Sequence, residues 1–113
     1  MTLLFQLNQD GKQIRNAIGS DSFNARSAVA ITKAGDVILA MVAQQPAQPL
    51  NSGISLSELT NFLVSMGAVK AMNLDGGSSA SLYYGDRAIY GKVDAKGNQI
   101  QRPIKSVLLV NKN

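Results

Sequence analysis

With 113 residues, 45% of them hydrophobic, the chain is long enough for one compact domain and too short for two ordinary ones. Charged residues make up only 16%, the net charge of +4 is spread along the chain without a basic run, and only three Phe and three Tyr are available for base stacking; a nucleic-acid arm is excluded, while the mildly basic balance favours anionic substrates. His and Cys are both absent, which removes Ser-His-Asp and Cys-His nucleophile systems, thiolate zinc sites and imidazole proton shuttles, and leaves acid–base chemistry to Asp10, Asp21, Asp36, Glu58, Asp75, Asp86 and Asp94.

Leu3 to Leu7, the polar cluster Asn8-Gln9-Asp10-Gly11 and the segment Gln13 to Ile18 read as an opening hairpin. The start has no basic leader before its short apolar stretch, so it is not a signal peptide as it stands, and no apolar run approaches the roughly 20 residues of a transmembrane segment. Ser27 to Thr32 and Asp36 to Ala43 flank Lys33-Ala34-Gly35 as two tightly joined strands, the second apolar enough to be expected at the centre of a sheet. Gln44 to Ser52 carries two prolines and no periodicity and is expected to form a mobile rim.

The spacing predicts one main amphipathic helix over about 55–66. Ser55 followed three residues later by Glu58 has the form of a capping box. Leu56, Leu59, Phe62, Leu63 and Met66 recur on one face opposite Ser57, Asn61 and Ser65, and Gly67 is placed to end the helix in a left-handed cap. Val69 to Leu74 then reads as a strand, Ala80 to Tyr84 and Arg87 to Lys92 as a hairpin around Gly85-Asp86, and Ile104 to Val110 as a final buried strand. Many strands with one helix imply an α+β fold in which the helix packs on a mostly antiparallel or mixed sheet, within a single domain spanning 1–113.

The segment most able to carry chemistry is Asn73 to Ser79, NLDGGSS. Gly76 and Gly77 permit positive φ and close approach of a ligand, consecutive N–H groups with the hydroxyls of Ser78 and Ser79 can surround an anion, and Asp75 sets a carboxylate beside them. A sugar phosphate needs both features. An Asp-Gly pair between two strands is equally well explained as a connection, so the residues alone leave both readings open. A divalent cation held by Asp75 and Asn73 is a third reading, but no EF-hand-like spacing supports it, and neither a metal nor any other cofactor is expected.

Four blocks taken in order carry a resemblance: Ala25 to Ile31 (ARSAVAI), Gly53 to Leu59 (GISLSEL), Ala71 to Ser79 (AMNLDGGSS) and Arg102 to Val110 (RPIKSVLLV). Together they resemble the phosphodiester glycosidase family over most of the chain from Ala25 onward, although many members have a third glycine where this chain has Ser78. The family's domain is usually longer before the arginine block, so the resemblance implies a domain shortened at its N-terminal side, a C-terminal portion, or one completed by a second copy in a homo-oligomer.

The resemblance further implies a hydrolase that cleaves the bond between a sugar's anomeric carbon and a phosphodiester oxygen, in a bacterial periplasm or cell envelope. Its substrate partner would be a sugar phosphodiester or a phosphorylated glycan. By that carry-over Asp75 is the catalytic base or nucleophile, Arg26 holds the phosphate, and Glu58 is a further catalytic carboxylate as well as a capping residue. Asn73, Gly76, Gly77, Ser78, Ser79 and Arg102 line the substrate or its phosphate. The alternative is a non-catalytic module that binds phosphorylated glycans or cell-wall polymers.

Overall fold

The structure is a computed structural model that describes residues 2–7, 13–15, 22–49, 51–74, 76–103 and 108–109. Five strands form one antiparallel sheet: β1 (Thr2–Leu7), β2 (Gln13–Arg15), β3 (Arg26–Thr32), β4 (Val37–Val42) and β5 (Ala68–Asn73), in the order β2-β1-β5-β3-β4. The single helix of the described residues, α1 (Leu56–Ser65), packs over β5 and β1. A separate hairpin of β6 (Ser81–Tyr84) and β7 (Arg87–Tyr90) follows. This is the α+β architecture expected, with the opening hairpin, the β3–β4 pair and the β6–β7 hairpin each where the turn residues placed them.

The helix starts where its capping box predicts. The Ser55 hydroxyl accepts from the Glu58 N–H at 3.1 Å and donates to Glu58 Oε1 at 3.3 Å. Gly67 follows the last turn at φ +92°, the left-handed cap. The buried stripe differs from the expected one: Leu59, Thr60 and Leu63 are buried, whereas Phe62 and Met66 are about half exposed, at 47% and 49%. The helix is rotated so that Leu59 and Leu63 drop onto Ala28, Ala30, Ala68 and Ala71, whose small side chains let it approach the sheet closely.

β4 is not central. It forms the edge of the sheet among the described residues, and β5 takes the centre. An unbroken apolar run reads like a strand covered on both faces, but in VILAMV only Ile38, Ala40 and Val42 pack against the helix-side core, while Val37 and Leu39 are exposed at 60% and 37%.

The 44–52 loop is held at both ends rather than free. The Ser52 hydroxyl accepts from Gln45 N–H at 2.7 Å and donates to Gln48 O at 2.6 Å, and the buried Gln44 amide oxygen accepts from Val93 N–H at 3.2 Å. The expected strand 104–110 lies outside the described residues except for Leu108 and Leu109, which are exposed and in no strand. No helix among the described residues is long and apolar enough to cross a membrane.

Candidate active site

The end of the sheet where β3 begins and β5 ends gathers the sequence blocks. Asn24 pairs with Ile54 by two backbone bonds, Ile54 N–H to Asn24 O at 2.9 Å and Asn24 N–H to Ile54 O at 3.3 Å, which fastens the segment before α1 to the entrance of β3. Two residues on, the Arg26 guanidinium reinforces the same junction: Nε donates to Ile54 O at 2.8 Å and Nη2 to Ser22 O at 2.9 Å. Partial burial lowers the Arg26 pKa from its ordinary value, yet a guanidinium in this position stays cationic at neutral pH. Expected as a free phosphate ligand, Arg26 therefore spends its Nε and one Nη2 hydrogen on the fold, and keeps its charge and its remaining N–H groups for anything bound beside it.

The loop after β5 is laid along the same stretch of β3. Leu74 N–H donates to Ser27 O at 2.8 Å and Gly77 N–H donates to Ala25 O at 2.8 Å, so the loop's flanks bracket Arg26. Gly77–Ser79 then closes a short 3-10 turn, with Ser79 N–H bonded to Gly76 O and Ala80 N–H to Gly77 O, both at 3.1 Å. Among the described residues of this loop Gly77 alone has positive φ, +58°. Ser78 has no such φ, so the serine at the position where many family members carry glycine fits without backbone strain. At Gly76 a Cβ would sit 3.1 Å from Ala25 O, a tight contact that glycine avoids.

The row of free donors expected from consecutive amides is only half present. Gly77 and Ser79 N–H are used within the fold, whereas those of Gly76 and Ser78 find no acceptor among the described residues. Arg102 from the fourth block reaches this turn, its Nη1 donating to Ser78 Oγ at 3.3 Å from an exposed position. Asn73 sits opposite Ala28, and its side-chain oxygen is buried with no hydrogen-bond partner among the described residues. Such an acceptor is costly unless something donates to it.

Arg26, Asn73, Gly76 to Ser79 and Arg102 are thus gathered at one end of the sheet. Glu58 is exposed on the first turn of α1, where its N–H donates to the Ser55 hydroxyl and its Oε1 accepts from it. Asp75, between Leu74 and Gly76, lies outside the described residues. Sequence reasoning missed two supports. Asn24 bridges to Ile54, caps Ala25 N–H with its side-chain oxygen at 2.9 Å, and lies closest to the Cβ position of Gly77. Gly91 fits between Ala25 and Ala80 and bonds to Ala80 O at 2.8 Å, which locks the base of the β6–β7 hairpin under the loop. Neither stands in a periodic pattern; the only signal was that Asn24 immediately precedes the first block.

The phosphodiester glycosidase family matches residues 4–111. A solved structure described as a hypothetical protein from Synechocystis is similar at 30% identity and a TM-score of 0.54, over 88% of this chain and 17% of that one. The chain thus spans about a sixth of that protein's length. No curated protein matches. On a match that takes in all four blocks and nearly the whole sequence, the chain belongs to the phosphodiester glycosidase family.

Proposed function

We propose that the chain hydrolyses the bond between a sugar's anomeric carbon and a phosphodiester oxygen, with Asp75 as base or nucleophile. The observation that carries this reading is a turn touched by Arg102 at Ser78, laid along the stretch of β3 that contains Arg26, with the N–H groups of Gly76 and Ser78 finding no acceptor among the described residues. Two cations and preorganised donors suit a phosphate whose charge grows as the bond breaks. The leaving group is a phosphate monoester, a stable anion, so no strong general acid is required and the absence of His is tolerated.

The role given to Asp75 rests on its chemistry: it is the carboxylate carried by the glycine loop, whose flanks Leu74 and Gly77 donate to Ser27 O and Ala25 O of β3. Arg102 and the turn would grip the phosphate, while Asn73 Oδ1 would accept from a sugar hydroxyl and so meet its unsatisfied bond. A sugar phosphodiester of the cell envelope is the substrate class this chemistry fits.

The test is release of free sugar from a sugar-1-phosphodiester. Asp75→Asn should abolish release with folding intact, and Glu58→Gln, which keeps the cap, should retain it. Full turnover by Asp75→Asn would refute the assignment. Binding of sugar phosphate by the unaltered chain with no release would favour a recognition module instead.

A further inference from the structure

We infer that Asn24 is a further substrate-binding residue, whose side-chain amide donates from Nδ2 to a non-bridging phosphate oxygen beside the Ser78 N–H. This rests on the reading that the glycine turn grips a phosphate. Asn24 immediately precedes the first sequence block, and its side chain is placed for more than holding the fold.

The other polar groups of Asn24 are all engaged. Its N–H donates to Ile54 O at 3.3 Å, its O accepts from Ile54 N–H at 2.9 Å, and its Oδ1 accepts from Ala25 N–H at 2.9 Å. A Cβ at Gly53 would overlap Asn24 O, so the glycine there lets the segment before α1 close against it. The bond to Ala25 N–H also fixes which end of the amide is which, because only the oxygen can accept. Nδ2 is left over, and its hydrogens bond to nothing among the described residues.

Ala25 ties that amide to the turn. Its N–H is held by Asn24 Oδ1 and its O accepts from Gly77 N–H at 2.8 Å, so Asn24 and Gly77 stand against the same residue. Nδ2 lies 3.7 Å from the place a Cβ of Gly77 would take, with Oδ1 at 3.9 Å. The next amide along the chain from that place is Ser78 N–H, which has no acceptor among the described residues. Two open donors, one from a side chain and one from the backbone, thus flank Gly77.

The chemistry of the pair selects the ligand atom. An asparagine with its carbonyl free both donates and accepts, whereas Asn24, with Oδ1 consumed, offers donors alone. The non-bridging oxygens of a phosphodiester accept and cannot donate, so they match it. Because the backbone and Oδ1 are already bonded, little side-chain freedom remains to be lost on binding.

The experiment is a titration of the unaltered 113-residue chain with inorganic phosphate, read on asparagine side-chain NH2 signals together with the Gly76 and Ser78 amides. The Asn24 pair should move along the same saturation curve as Ser78 N–H, while those of the exposed Asn61 and Asn98 stay in place. Asn24→Ser is the companion variant. A serine hydroxyl still accepts from a neighbouring backbone N–H and leaves the net charge unaltered, but it carries no amide to reach Gly77. It should bind phosphate roughly tenfold more weakly, the loss of one hydrogen bond to a charged group, with an unchanged circular dichroism spectrum. If the variant does not fold, the titration of the unaltered chain decides. An Asn24 pair that stays still while Gly76 and Ser78 respond, or a folded Asn24→Ser that binds phosphate like the parent, overturns this inference and leaves the phosphate-gripping turn standing. Absence of any response at Gly76 and Ser78 overturns both.

Discussion

Replacing Arg26 by Lys separates its part in the fold from its part in binding, because the charge stays and the fork is lost. The guanidinium makes two bonds to main-chain carbonyls at 2.8 and 2.9 Å, joining residue 26 to Ile54 and to Ser22. Bonds from charged donors contribute roughly 1.5–3 kcal/mol each when well buried. Arg26 is only partly buried, so water can replace part of each bond, and a lysine can still satisfy one carbonyl. A net loss of about 1–2 kcal/mol is expected, which in a domain of this size lowers Tm by roughly 4–15 °C. The assay is thermal and urea unfolding of Arg26→Lys beside Arg102→Lys. Arg102 is exposed and makes one 3.3 Å bond, so its variant should stay within about 0.5 kcal/mol of the parent. Equal stability of Arg26→Lys and the parent would refute the structural role and return Arg26 to the position of a free ligand.

Gly91→Ala should destabilise by overpacking. Its new Cβ would sit 2.7 Å from the Ala25 Cβ and 2.9 Å from the Ala80 Cβ, and neither short side chain can swing away; a loss of about 1–3 kcal/mol follows, read by urea unfolding and partly relieved when Ala80→Gly is added. Asp94 gives a pH dependence. Its carboxylate accepts from the N–H groups of Asn98 and Lys96, both at 2.9 Å, which pulls its pKa below 3.8, the Asn98 bond contributing most. A depressed carboxylate pKa supports the fold fully above the ordinary value and loses that support as pH falls through the lower one. NMR titration should therefore find the Asp94 midpoint below 3.8 and the turn amides of Lys96 and Asn98 moving with it; a midpoint at or above 3.8 contradicts the geometry.

Local chemistry explains what the sequence disclosed. Ser55 and Glu58 fix the helix start by bonds within one turn, and Gly67 fixes its end. Gly85-Asp86 takes the two positive φ angles of a tight hairpin, +57° and +65°. What stayed hidden depends on partners distant in sequence. Nothing in VILAMV tells an edge strand of the described sheet from a central one, because a strand's neighbours leave no mark on the run itself. The helix face was misjudged at Phe62 and Met66 because periodicity locates a stripe, while the alanine floor beneath it decides which residues sink. At the site, the resemblance located the arginine block and the glycine loop. It could not reveal that Arg26 is bonded to carbonyls, or that alternate amides of the loop are consumed.

That alternation offers the most direct test of the site. In a titration with inorganic phosphate and then a sugar phosphate, followed by amide chemical shifts, the N–H signals of Gly76 and Ser78 should move most. Those of Gly77 and Ser79, already bonded to Ala25 O and Gly76 O, should move least. Shifts spread evenly over Gly76 to Ser79, or concentrated away from this turn and Arg102, would contradict the account.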